Sequence, residues 1–384
     1  MNAQYVNSYD CGDWVLNLAC HDLHGVACGI SNGVISLFPF AESGTSQLLQ
    51  IKAHNGAVNK LRSIDESTLA SCGNDGTVKL WDLRQGPQQQ PLAVMKNDRG
   101  LPFLSLDTGH GLLAAGTELK GQDSELLIYD LKKTGQVFKA FKDSHHDDIT
   151  EIRFHPTRKD ILLSGSTDGY VNIYDLKVED EDDSLLQVIN FGSIHSANFL
   201  SERRIYTLSH IETFSMHELV DTTTEETVEP EPIDYGDIRD DWGCEYVVDV
   251  FAPGYLCCGS NSIKELRLYQ IDPLKENFRG LAKTRDFINF PGAHGEEVVR
   301  DLAIHNGIVY TGGEDGLLKA WKPPCELTNT THKFFGHDVD SEPIVHKHKH
   351  KHRKEKEEKK EHHRTHQHGH KHKHKHLASH FKPY

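Results

Sequence analysis

The 384-residue sequence predicts an all-β protein, a closed ring of seven four-stranded sheets (a seven-bladed β-propeller) followed by a disordered C-terminal tail. Three observations lead there: an internal period of roughly 40 to 50 residues, an Asp-Gly turn that recurs within it, and an abrupt change in composition near residue 336.

The period is plainest in three segments: HNGAVNKLRSIDESTLASCGNDGTVKLWDL from His54, HHDDITEIRFHPTRKDILLSGSTDGYVNIYDL from His145 and HGEEVVRDLAIHNGIVYTGGEDGLLKAWK from His294. Each runs from a His through an alternating apolar strand, a second strand rich in Ser and Gly and an Asp-Gly turn, to a third strand ending in an aromatic. Alternation such as Val78 and Leu80 against Thr77 and Lys79 marks half-buried strands, and the Asp-Gly pair supplies the positive φ angles of a tight hairpin. The turn aspartates Asp75, Asp168 and Asp315 lie 93 and 147 residues apart, which is room for two and three units. Weaker units fill the gaps when the aromatic or its substitute is followed along the chain: Phe38, Trp81, Tyr129, Tyr174, His217, Tyr269 and Trp321.

These seven markers place blades near residues 14–40, 54–96, 100–141, 145–190, 191–219, 242–288 and 293–323, within a propeller domain of residues 1–335. A closed ring leaves no exposed sheet edge, so one blade should be completed by a strand from the other end of the chain. The expected closing strand is Ala3 to Asn7, with Lys333 to Phe335 as the competitor.

The His, the Asp-Gly turn and the Trp81-Asp82 pair resemble the WD-repeat family, and DITEIRFHP, LSGSTDGYVNIYDL and TGGEDGLLKAWKP are most similar to WD repeat-containing protein 89 and its relatives. The resemblance implies a non-catalytic protein and a hydrogen-bonded set in each well-formed blade. The matching residues are His54, Ser71, Asp75 and Trp81 in the second unit, and His294, Thr311, Asp315 and Trp321 in the seventh. The fourth offers His145, Ser164 and Asp168, but Tyr174 stands where Trp is expected, which puts its network in doubt. The resemblance also implies partner contacts on the narrower face, one residue before the turn Asp (Asn74, Thr167, Glu314) and at the start of the innermost strand (Asn59, Thr150, Arg300).

A His, a Ser and an Asp in one unit could be read as a hydrolase triad, which needs an exposed nucleophile and an oxyanion site. Their recurrence argues for scaffolding, because a catalytic site is needed once and a turn-locking network in every blade. No Gly-rich phosphate loop precedes a helix and no metal-ligand spacing occurs in the body, so neither a cofactor nor a metal is expected.

Composition sets the remaining bounds. Apolar residues at 37% and charged residues at 26% suit a soluble globular protein, and no apolar run approaches the roughly 20 residues that a membrane span needs. The N-terminus lacks the basic flank and apolar stretch of a signal peptide, so a cytosolic-side protein is expected, in nucleus and cytoplasm and monomeric by itself. The eight cysteines are read as reduced core residues. Cys257 and Cys258 are poor metal ligands because neighbours on a strand point to opposite faces.

The net charge of −15 conceals an asymmetry: from His346 to Tyr384, 13 Lys and Arg face four Glu, giving +9 and leaving about −24 on the body. An acidic body argues against duplex binding, which needs cations along the phosphates. Two acidic stretches, Glu179 to Asp183 and Asp221 to Asp241, are read as solvated loops outside the blades or as docking sites for a basic partner, and Trp242 is expected to be buried. The tail alternates His and Lys and has too few apolar groups to offset its ordering entropy. It reads as a nuclear-import signal, a weak nucleic-acid or anionic-surface contact, or a metal-binding tract. The expected function is a protein-interaction scaffold with an unidentified protein partner; an escort for a basic client such as a histone or ribosomal protein is the alternative.

Overall fold

In the computed structural model, the residues described are 1–41, 46–88, 90–133, 136–220, 231–272 and 275–330. They form seven four-stranded antiparallel sheets arranged as a β-propeller. Blades one to six cover residues 15–52, 58–96, 103–141, 149–190, 194–237 and 246–291. Blade seven takes three strands from residues 299–322 and its outer strand, Gln4–Asp10, from the opposite end of the chain. Gln4–Asp10 contains most of the expected closing segment and extends past it; the competitor Lys333 to Phe335 and the whole tail lie outside the described residues. No helix among the described residues is long and apolar enough to cross a membrane.

Strand alternation gives each blade two apolar faces, and a blade cannot bury both alone. The solution is one apolar core at each of the seven interfaces between neighbouring blades. Cys257 and Cys258 show the consequence: the first packs between blades six and seven, the second between five and six. Six of the eight cysteines are buried, as expected, whereas Cys20 is half-buried and Cys325 exposed, because Cys325 follows the last strand of blade seven and packs in no core.

Several boundaries differ from the sequence expectation. Blade one gains an outer strand, Leu49–Lys52, after a loop too irregular in sequence to extrapolate across. The run from Asp221 to Asp241 is not wholly outside the sheets: Ile233–Asp237 is the outer strand of blade five, its pattern hidden by acidic residues because an outer strand is half-exposed. Asp240, Asp241 and Trp242 belong to a helical turn, Arg239–Trp242, that seats Trp242 fully buried with its indole N–H on the carbonyl of Phe278 at 2.7 Å. Nor is Glu179 to Asp183 a simple solvated loop. Asp180 caps a turn at Glu181–Ser184, and the Glu181 carboxylate accepts the backbone N–H groups of Lys142 and Asp143 at 2.9 Å.

The inner strands share one irregularity. Each has a β-bulge just after its first residues, so Leu16, Asn59, Leu104, Thr150, His195, Val248 and Arg300 are equivalent positions. A bulge turns the side chain of the extra residue away from the ladder and steepens the local twist. Near it, every interface between blades has a side-chain hydrogen bond to the next blade's backbone. Asn17 donates to the Val58 carbonyl at 2.9 Å, Asn59 to Phe103 at 2.7 Å, Ser105 to Ile149 at 2.7 Å and Thr150 to Ile194 at 2.7 Å. The ring continues from His195 to Val248 (3.2 Å), from the Val299 N–H to the Tyr246 hydroxyl (3.1 Å) and from the Leu18 N–H to the Asp301 carboxylate (2.8 Å).

The closing strand is the natural place to break this ring. Tyr9 is buried between blades seven and one, 4.8 Å from the Phe38 ring, with its hydroxyl on the Pro39 carbonyl. Tyr9→Ala is expected to lower the unfolding free energy by about 3 kcal/mol or more, the usual cost of removing a buried aromatic. Urea unfolding followed by fluorescence measures it; a change below about 1 kcal/mol would mean that the strand contributes little to closure.

Candidate protein-interaction rim

Both the corner networks and the rim lie where the loop entering a blade meets the turn between its second and third strands. In blade two, His54 stands on the entering loop, with Nδ1 2.8 Å from Asp75 Oδ1 and Nε2 2.7 Å from Ser71 Oγ, and the Trp81 indole donates to Ser71 at 2.9 Å. Blade seven repeats this with His294 to Asp315 at 2.6 Å, His294 to Thr311 at 2.8 Å and Trp321 to Thr311 at 3.0 Å. In blade four, His145 meets Asp168 at 2.9 Å and Ser164 at 2.7 Å. The doubt raised by Tyr174 resolves into a substitution: its hydroxyl lies 3.2 Å from Ser164 Oγ and takes the place of the indole N–H of the Trp blades.

The turn itself differs from the expectation in one respect. Only the glycines Gly76, Gly169 and Gly316 take positive φ; the aspartates do not, because their side chains hold the entering loop instead of their backbone shaping a two-residue turn. Sequence inspection missed a further member, three residues before the end of the third strand. Lys79 bridges the Ala53 carbonyl and Asp75, Lys319 bridges the Ala293 carbonyl and Asp315, and Asn172 takes the place in blade four by donating to Ser144. Gly73 is also fixed by the corner, since a Cβ there would sit 2.7 Å from the His54 ring.

These groups are sealed. Ser71, Ser164 and Thr311 are wholly buried and each hydroxyl is engaged, so they brace the turn and present nothing to a solvent-borne substrate. Burial alone would raise the Asp75 carboxyl, but bonds from Thr77 and His54 outweigh it and hold it well below the usual carboxylate range. Asp168 and Asp315 are lowered for the same reason. Burial lowers the imidazoles of His54 and His294 although their aspartates pull the other way.

The rim candidates come together in pairs. Asn59 Nδ2 lies 2.7 Å from Asn74 Oδ1, and the Arg300 guanidinium pairs with the Glu314 carboxylate. Thr150 and Thr167 are drawn to one corner differently, with Thr150 reaching the Gly165 carbonyl at 3.4 Å and the Thr167 N–H bound to the Asp148 carbonyl at 3.0 Å. The last bond is one of a series in which the turn N–H groups of Ser31, Asn74, Glu118, Thr167, His210 and Glu314 are tied to the entering loop. Asn59 and Thr150 therefore spend side-chain bonds on the neighbouring blade, whereas the Arg300 side chain is 45% exposed and makes no such bond. The equivalent positions Leu16, Leu104, His195 and Val248 were missed because they stand in degenerate units; carrying the bulge register through all seven units finds them. Trp14 was not singled out from the sequence either. It is 47% exposed on the loop entering blade one, where the Asp13 backbone lies against the blade-seven turn at Gly316.

Comparison with known proteins agrees with this geometry. The model of the WD domain, G-beta repeat, matches residues 45–82 and 136–175. An uncharacterized WD repeat-containing protein of Saccharomyces cerevisiae is 44% identical over 82% of this chain and 80% of its own length. The chain belongs to the WD-repeat family. A second uncharacterized WD repeat-containing protein, from Schizosaccharomyces pombe, is 30% identical over 77% of the chain and 92% of its own length. A WD repeat-containing protein 89 homolog of Dictyostelium discoideum is 34% identical over 50% of the chain and 52% of its own length. Among solved structures, the WD40 β-propeller domain of Doa1 superposes with a TM-score of 0.59 at 13% identity, covering 84% of this chain and 97% of that one, a likeness of fold.

Two predictions follow from the WD-repeat corners. Trp81→Phe keeps the ring but removes the N–H to Ser71, and is expected to cost about 1 kcal/mol in urea unfolding; Gly73→Ala, which drives a methyl into His54, is expected to cost about 1–3 kcal/mol. An equal, negligible effect of both would remove the bracing role.

The pH dependence follows from the buried imidazoles. Those of His155 and His217 are pushed down to about 4 by burial, while in the unfolded chain a histidine titrates near ~6.5. Between these values the unfolded chain binds more protons, so the stabilisation is complete above about pH 6.5 and is lost as pH falls toward 4. Melting temperatures between pH 7.5 and 4.5 should fall with acid, and His217→Phe should flatten the slope; melting that is level over this range would contradict the assignment.

Proposed function

We propose that this chain is a non-enzymatic scaffold of nucleus and cytoplasm whose rim docks a protein partner. WD-repeat propellers in general bind protein partners. The observation that carries the proposal here is the bulge register, which sets one equivalent inner-strand position from each of seven blades around one mouth of the ring, with the Val248 side chain alone drawn into the core between blades six and seven. Residues bound to the neighbouring blade fix the shape of that mouth, and those not so bound, Arg300 with Glu314 and the exposed Trp14, are the best placed to touch a partner. Exposed aromatic and Arg side chains on a rigid support are the residue types that dominate binding energy.

An escort for a basic client is the second reading, favoured by the body charge of about −24 against a basic tail. Affinity purification can compare the full chain, a Trp14→Ala/Arg300→Glu double variant and a chain ending at Asp338. The rim reading expects the double variant to lose its partner by at least tenfold with an unchanged melting temperature, while the shortened chain retains it. Retention of every partner by the rim variant would overturn it. The escort reading expects capture to fall steeply between low and high salt, and salt-independent capture would remove its basis.

A further inference from the structure

Beyond the bulges, the inner strands enclose an axial cavity of about 220 Å³, distinct from the rim and lined by Lys60, Arg62, Arg153, Asp249 and Asp301 among apolar neighbours. Liquid water occupies ~30 Å³ per molecule, so the space holds a tetrahedral ion together with some of its hydration.

The polar groups of the wall are unequally satisfied. Asp301 accepts the backbone N–H groups of Leu18 and Leu302, at 2.8 and 2.7 Å. Asp249 Oδ1 accepts the hydroxyls of Ser196 and Tyr206, at 2.7 and 2.9 Å, and its other oxygen is 3.9 Å from Arg153. Behind the wall, Asp107 holds Arg62 through Nε at 3.0 Å, and Glu151 holds Arg153 through Nη2 at 3.2 Å. The cations are left with donors to spare. Arg62 Nη2, Arg153 Nε and Arg153 Nη1 are buried and have no hydrogen-bond partner, and Lys60 forms no ion pair with a described residue. The side chains of Arg62 and Arg153 are only 6% and 7% exposed.

The unmatched buried side-chain atoms of the wall are thus all N–H donors, on two inner strands that face the same space. A group that answers several donors at once must offer several acceptor oxygens, and a negative charge strengthens each bond. We propose that the axial cavity is a binding site for one small oxyanion, held by Lys60, Arg62 and Arg153. On the wall Lys60, Arg62 and Arg153 face Asp249 and Asp301, while Asp107 and Glu151 pair with the two arginines from behind. Because the anion would bind the folded ring and not the unfolded chain, it would also stabilise the propeller.

The test uses the full-length protein with inorganic phosphate in one arm and malonate in the other, followed by titration calorimetry and by thermal melting, with chloride as the control. The expected result is one saturable site and a raised melting temperature for an oxyanion but not for chloride, the tighter of the two arms naming phosphate or carboxylate as the chemistry. Lys60→Met should weaken binding at least tenfold. Arg153→Met should do the same, but it strips the partner from Glu151 and can compromise folding, so the Lys60 variant carries the test if Arg153→Met does not fold. Absence of saturable uptake at millimolar anion, or uptake that persists unchanged in the folded variants, overturns the site; the second result would assign the anion to the basic tail.

Discussion

A ring of sheets is stable only if the first edge finds the last, and here the condition is met twice. Strand pairing closes the ring once, through Gln4–Asp10 on the last blade. Side-chain hydrogen bonds close it again, one at every interface, near the start of each inner strand. The apolar cores between blades hold the sheets together but are not directional, whereas a bond from Asn17 to the Val58 carbonyl fixes the rotation of one blade on the next. Rim, corners and axial cavity all inherit their positions from that constraint.

The corners show how one geometric need is met by different chemistry. Blades two and seven lock the entering loop with His, Asp, Ser or Thr, Trp and Lys; blade four substitutes Tyr174 for the Trp and Asn172 for the Lys. Blade six has neither the His nor the turn Asp, and its entering loop carries Trp242, which fills the core between blades five and six and accepts a bond from the Tyr269 hydroxyl on its carbonyl. What persists is a buried bulky group tied by hydrogen bonds where two loops meet.

This explains how far the sequence was legible. The corner residues were readable because a specific hydrogen-bonded set must repeat, and the third-strand aromatics from Phe38 to Trp321 were readable because each fills a core. Outer strands such as Leu49–Lys52 and Ile233–Asp237 were not, since one half-exposed face imposes little pattern and a long loop erases the spacing. Within the rim, Asn59, Thr150 and Arg300 could be placed but not told apart. Whether a bulge side chain reaches across to the neighbouring carbonyl depends on blade-to-blade distance, which a repeat alignment does not contain.

That distinction bears on how such a surface can change without loss of the fold. A bulge residue bonded across an interface, as Thr150 is to Ile194, cannot be exchanged freely, because its loss leaves a buried carbonyl without a donor. Leu16 and Leu104 occupy equivalent places with no polar bond to lose, and Arg300 bonds within its own blade to Glu314. Interfaces one-to-two, three-to-four and seven-to-one are stitched instead from the next position along, by Asn17, Ser105 and Asp301. Moving the stitch by one residue frees the bulge of blades one, three and seven while closure is kept. Specificity on this rim can therefore reside in the blades whose stitch has moved, and the partly exposed ion pair of Arg300 and Glu314 on blade seven, next in the ring to the blade-one entry loop that carries Trp14, is where that freedom coincides with exposed charge and a large aromatic.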